Sequence, residues 1–246
     1  MLIAIFTDIH GNREAFEACL LDAKSRGANQ YVFLGDYVGY GADPQWVVDR
    51  LKPYLDHGAI AVLGNHDQAI FDPSAAMNPT AKAAIDWTRQ NLNAEAKSLL
   101  QSLPFSAEQD GRLYVHAEAS NPSRWHYIID AESAWTSISS TKAGVTFCGH
   151  VHIPAVYGIT ATSKLAKFVP IPNISVPLLR HRRWLCVLGS VGQPRDGIPA
   201  ACYGIFDTEL CEVTNVRVPY DVETAADKIR AAGLPESLAD RLFKGR

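Results

Sequence analysis

The chain has 246 residues, of which 47% are hydrophobic and 20% charged, and its net charge is −3. That length buries a substantial core, and the charge balance gives no electrostatic basis for tracking long nucleic acid or binding a membrane surface. Its five cysteines (Cys19, Cys148, Cys186, Cys202 and Cys211) are odd in number and lack C-x-x-C spacing, which argues against a disulfide framework or zinc knuckle and suits a reducing cytoplasm.

The chain opens with "LIAIF", an apolar strand that meets Asp8 too soon for a signal segment or a membrane span. "REAFEACLLDAKSRG" places Ala15, Phe16, Cys19, Leu20 and Ala23 at helical spacing and ends in Gly27 as a cap. "QYVFLGD" is the next strand, "PQWVVDRLKPYL" a helix opened by Pro44, and "AIAVLGNHD" a third strand. This alternation predicts parallel αβ layering. Residues 72–103 read as an inserted pair of helices, "TAKAAIDWTRQNL" and "AEAKSLLQSL".

The second half changes character. "RLYVHA", "GVTFCGH", "LAKFVPI", "RRWLCVLGS", "AACYGIFD" and "CEVTNVRV" read as strands separated by turns, predicting a second, largely antiparallel sheet packed on the first. Residues 221–246 read as one or two terminal helices. Nothing resembles a linker, so residues 1–246 are expected to form a single domain.

Metal-capable side chains stand at the ends of the apolar runs. "IAIFTDIHGN" supplies Asp8 and His10, "YVFLGDYVGYG" Asp36, and "IAVLGNHD" Asn65, His66 and Asp67. "RLYVHAEAS" supplies His116, and "VTFCGHVH" supplies His150 and His152. Ligands of open αβ sheets gather beyond the carboxyl ends of strands, so these residues are candidates for one site. Imidazole and carboxylate suit divalent zinc, manganese, iron or nickel. The set is large enough for two ions with positions left for water and substrate. An aspartate is the natural bridge between ions, because its two oxygens can each face a different one.

The series D-x-H, G-D-x-x-G, G-N-H-D, a single H and G-H-x-H resembles the calcineurin-like metallophosphoesterases. It covers Asp8 to His152 and continues through "GSVGQPRDG" into "AACYGIFD", like the compact single-domain prokaryotic branch that contains small phosphodiesterases. The resemblance implies an α/β (α+β) fold of two packed mixed sheets flanked by helices, a four-layer αββα sandwich. It implies that Asp8, His10 and His152 hold one metal, that Asn65, His116 and His150 hold another, and that Asp36 bridges them. His150 and His152 then serve adjacent ions. His66 is implied to face the phosphate, steadying the transition state or protonating the leaving oxygen. Asp67 either orients His66 or caps the following segment. Gly35, Gly64 and Gly149 relax the backbone before the ligands.

One departure is "HAEAS", where the family commonly has glycine after the histidine; Glu118 puts a carboxylate near the mouth. Asn12 and Arg13 lie close enough in sequence to touch phosphate, although Arg13 equally suits the water-facing first turn of a helix. Arg195 of "GSVGQPRDG" either grips phosphate bidentately or pairs with Asp196 or a glutamate. Cys148 reads as packing. The expected function is a two-metal phosphodiesterase or phosphatase in the cytoplasm, acting on a small phosphodiester or nucleotide through metal-bound hydroxide. The alternative is a weakly catalytic metal-binding regulatory or scaffold module. No membrane and no stable long nucleic acid is expected as a partner, and "IPNISVPLL" hints at an oligomer.

Overall fold

The computed structural model describes all residues, Met1–Arg246. One six-stranded sheet runs in the order β3 (Ile60–Ala61), β2 (Gln30–Phe33), β1 (Leu2–Phe6), β11 (Ala201–Asp207), β12 (Glu212–Val218), β9 (Ser175–Pro177). The other runs β4 (Ser106–Gln109), β5 (Arg112–Val115), β6 (Val145–Cys148), β10 (Arg183–Val187), β7 (Ala155–Ile159), β8 (Leu165–Phe168). Both are mixed. Strands β1, β2 and β3 are parallel, as are β5, β6 and β10, and the flanking pairs are antiparallel.

Alternation along β1 explains the layering, since successive side chains face opposite sides. Ile3 and Ile5 enter the core between the sheets, with Val32 and Leu34 from one side and Tyr114, Phe147 and Trp184 from the other. Ala4 and Phe6 face outward and pack with Phe16 of α1 (Arg13–Ser25) and Val47 and Leu51 of α2 (Pro44–Asp56). Across the sandwich, Ala134 and Ile138 of α6 (Ala131–Ser139) cover Tyr157 and Leu185. The layers are therefore helix, sheet, sheet, helix. The pair α7 (Val222–Ala231) and α8 (Glu236–Lys244) packs on Tyr40 and on Ala81 and Ala84 of α4 (Pro79–Asn91).

Two sequence expectations change. The strands of the second half do not build one separate sheet: β9, β11 and β12 return beside β1, and the second sheet has a parallel centre. Alternating hydrophobicity marks a strand's faces but not its partner. The third strand stops at Ala61, and Asn65–Ala69 forms a short helix, α3. Strands β4, β7 and β9 and helix α6 are additions to the elements read from the sequence. Residues 72–103 do carry two helices, α4 and α5 (Ala94–Ser102), capped by the Asn78 and Asn93 side chains. The cysteines are all free, and no helix is long and apolar enough to cross a membrane.

Candidate metal centre

The metal-capable residues meet at one edge of the sandwich, where β1, β2, β5 and β6 end. Asp8, His10, Asp36, His150 and His152 all adopt left-handed backbone angles, with φ between 52° and 65°. Such a conformation costs a residue with a β-carbon about 1 kcal/mol, and it persists only where the surroundings impose it. Here the loops bond to one another: Asp8 N–H donates to Gly35 O, His10 N–H to Asp36 O, and His150 N–H to Asp8 Oδ2 at 3.0 Å. Glycines admit this crowding. Of the three glycines expected to relax the backbone, only Gly35 has a positive φ. Gly64 and Gly149 are needed for room instead; a β-carbon on Gly149 would lie 1.9 Å from Thr7 Oγ1.

Each of four histidines commits one ring nitrogen to a backbone carbonyl. His10 Nδ1 pairs with Val38 O at 3.2 Å, His116 Nδ1 with Leu34 O at 2.7 Å, His152 Nδ1 with Gln193 O at 2.6 Å, and His150 Nε2 with Trp125 O at 3.0 Å. A carbonyl only accepts, so these nitrogens carry the proton, and in the neutral ring the other nitrogen presents a lone pair. Those lone pairs converge. His10 Nε2 and His152 Nε2 are 3.2 Å apart, and Asp8 Oδ1 is 3.1 Å from the latter. His116 Nε2 is 3.1 Å from His150 Nδ1, 3.1 Å from Asn65 Oδ1 and 3.3 Å from Asp36 Oδ2.

Acceptors at such distances repel unless a cation or a proton lies among them. Asp8 Oδ1 is buried without a hydrogen-bond donor. Asp36 turns only one of its two oxygens to the cluster. Its Oδ1 accepts the His66 N–H at 2.8 Å, which leaves Oδ2 facing both His116 and, at 3.8 Å, His10. A single proton is favoured in the gap, on His116, which is too few for the atoms that converge there. Burial drives the His150 pKa down to about 3, reinforced by His116, and burial also depresses His10. Against the same burial, the carboxylates of Asp36 and Asp8 lift His116 to about 9. The mixed nitrogen and oxygen donors, the carbonyls that hold the four histidine rings and the orphaned carboxylate oxygen fit divalent transition ions.

The remaining predicted residues divide. His66 is buried, edge-on to His10 with ring centroids 4.8 Å apart. Its Nδ1 is enclosed without a partner and burial lowers its pKa to about 4. It can offer a ligand atom within 4.8 Å of those of His10 and Asp36. Asp67 does not orient it. Its carboxylate accepts the N–H groups of Gly64, Asp36, Tyr37 and Val38, clamping two loops together. Arg195 binds only the neutral Gln193 side chain and lies 5.8 Å over the Tyr40 ring, while Asp196 pairs with Arg217 instead. Asn12 is spent on capping α1 and on Gly192 O, and Arg13 lies across Trp46 toward Glu17; neither bonds to the cluster. Glu118 is buried, its carboxylate turned onto Ser120. Cys148 is core.

Sequence reading missed the aromatic frame. Tyr40 packs on His10 and His66, Trp125 supplies the carbonyl that orients His150, and Tyr127 stacks on His150 at 4.0 Å. No motif marks these loop positions; the one available signal was an aromatic-rich stretch, "RWHY", after the His116 block.

The Calcineurin-like phosphoesterase superfamily domain matches residues 1–210. An uncharacterised protein of Methanocaldococcus jannaschii is 35% identical over 251 residues, covering 100% of this chain and 98% of its own. The crystal structure of a metallophosphoesterase from Sphaerobacter thermophilus aligns with a TM-score of 0.88 at 36% identity, covering 100% of this chain and 99% of that one. A hypothetical protein from Pyrococcus horikoshii OT3 shares the fold, with a TM-score of 0.78 at 20% identity and 100% and 98% coverage. With this match in family, fold and donor chemistry, the chain belongs to the calcineurin-like phosphoesterase superfamily and is a metallophosphoesterase.

Proposed function

We propose that the protein is a two-metal phosphodiesterase acting on a small phosphodiester or nucleotide. Asp8, His10 and His152 would hold one ion and Asn65, His116 and His150 the second, with Asp36 close enough to both groups to serve either. The observation that carries this reading is the convergence of seven ligand-capable atoms, among which His116 alone is disposed to carry an extra proton. Two such ions supply Lewis acidity and lower the pKa of bound water. Manganese, iron, zinc and nickel suit the donor set.

The chain's own groups do the rest. Hydrolysis forms a P–O bond to water oxygen and breaks the ester P–O bond. Arg195, with no carboxylate of its own, binds a phosphate oxygen. His66, kept neutral by burial, donates a hydrogen bond from Nε2 to the departing or equatorial oxygen, while the proton released by the attacking water passes to the departing oxygen. A small substrate is favoured by the size of the adjoining cleft, about 460 Å³. Free cysteines, four of them buried, suit the cytoplasm.

The test is hydrolysis of a panel of phosphomonoesters and phosphodiesters by metal-stripped protein, with manganese, iron, nickel, zinc or magnesium added back. Restored turnover with diesters preferred supports the reading. Failure of every metal to restore hydrolysis of any ester contradicts it.

A further inference from the structure

The cleft of about 460 Å³ beside the centre reaches it through Asn65 and His150 and is also lined by Asp72, Ala75, Ala76 and Met77. Its chemistry is not that of a generic phosphate mouth. Tyr127 lies flat on His150, with 19° between the planes, and is 50% exposed, so its second face is free. Trp125, held in a left-handed conformation at φ 58°, donates from its indole N–H to Gln68 Oε1 at 2.7 Å. That contact fixes the Gln68 amide so that its NH₂ group remains without a protein partner. The Arg124 guanidinium also lines the cleft and makes no hydrogen bond or ion pair. An open aromatic face, a fixed amide donor and an unpaired guanidinium therefore surround one space, adjacent to the acceptor cluster.

We infer that this cleft seats the nucleoside of a nucleoside phosphodiester, with the base stacked on Tyr127, its polar edge on Gln68 and Arg124, and the esterified phosphate at the metal centre. The inference rests on the proposed phosphodiesterase reading and names its substrate class. Stacking on an aromatic side chain suits any base, because every base has a π-face. An aliphatic ester would turn carbon toward the Gln68 amide and leave its NH₂ group unpaired. The planar group thus satisfies the cleft where an alkyl group of equal volume does not.

The test compares the p-nitrophenyl ester of thymidine 5′-monophosphate with methyl p-nitrophenyl phosphate on metal-reconstituted protein, alongside calorimetric binding of thymidine 5′-monophosphate. The expected kcat/KM ratio favours the nucleoside ester at least about tenfold, the worth of one stacked base. Tyr127→Ala reduces that ratio about tenfold, mainly through KM, and Tyr127→Phe restores it. Arg124→Gln and Tyr127→Ala each weaken nucleotide binding severalfold. Equal kcat/KM for both esters, or a ratio and binding affinity unmoved by Tyr127→Ala, overturns the inference while leaving the phosphodiesterase reading intact. If neither ester is hydrolysed with any metal, the phosphodiesterase reading falls, and nucleotide binding with its loss in Tyr127→Ala still decides the cleft's ligand.

Discussion

His116 Nε2 and His150 Nδ1 face each other at 3.1 Å, while the other nitrogen of each ring is bound to a backbone carbonyl. In metal-stripped protein this packing makes stability depend on pH. His10, His66 and His150 have folded pKa values below their unfolded values. They stay neutral in the folded state and take up protons only on unfolding, so stability falls as pH drops below about 6.5. Asp67, raised to about 7 by burial and by Asp36, takes its proton in the folded state and offsets part of this. The net difference is near two protons between pH 6 and 5, a loss of about 2 kcal/mol per pH unit. Above pH 7 the sign reverses, because the stability contributed by protonated His116 is lost as pH rises toward its folded value of about 9. Denaturant titrations of chelated protein from pH 5 to 9 should show a maximum near neutrality, with a shallower acid limb in His150→Asn.

Asp67 is expected to act on stability before chemistry. Removing a carboxylate that accepts four backbone N–H groups leaves buried donors unpaired, at a cost of about 3 kcal/mol or more. Asp67→Ala should show this in urea denaturation of metal-free protein, where an effect confined to His66 would leave stability unchanged.

Two glycine substitutions separate room from backbone angle. Gly149→Ala drives a β-carbon into Thr7 and Asp8 and should cost about 3 kcal/mol with loss of bound metal. Gly58 has φ +85° with nothing within 4 Å, so Gly58→Ala should cost only about 1 kcal/mol of backbone strain and leave metal content unchanged. Thermal denaturation and metal analysis of the two variants check this.

Arg195 and Arg13 are both candidates for phosphate contact in the sequence, and the structure separates them. Arg195→Gln should raise KM for a phosphodiester about tenfold or more, with Arg195→Lys intermediate because it keeps the charge but loses the fork. Arg13→Gln should leave KM within about twofold, since that side chain lies on Trp46 and Glu17. Steady-state kinetics on the reconstituted enzyme distinguish them.

The cluster was largely legible in sequence because each of its members terminates an apolar strand or lies within a few residues of its end, so local pattern and chemistry coincide. Position within the cluster was less so. That Asp36 commits Oδ1 to the His66 N–H depends on a helix beginning at Asn65, where the pattern reads as a strand tip. That Asp67 clamps residues 36–38 depends on contacts some 30 residues away. The return of β11 beside β1 pairs residues about 200 apart, and the inward and outward faces of β11 are apolar alike. The aromatic frame of Tyr40, Trp125 and Tyr127 comes from loops with no periodicity to read.

The division of the cluster into two triads sharing Asp36 is tested most directly by metal stoichiometry. Purified wild type, Asp36→Asn and His66→Ala, reconstituted with manganese, desalted and measured by plasma mass spectrometry, should differ sharply. Two equivalents per chain are expected for wild type and for His66→Ala, with turnover lost in the latter, and a marked loss of both equivalents in Asp36→Asn. A single equivalent in wild type, or equal metal loss in the Asp36 and His66 variants, would contradict a dinuclear centre in which His66 serves the phosphate and Asp36 the metals.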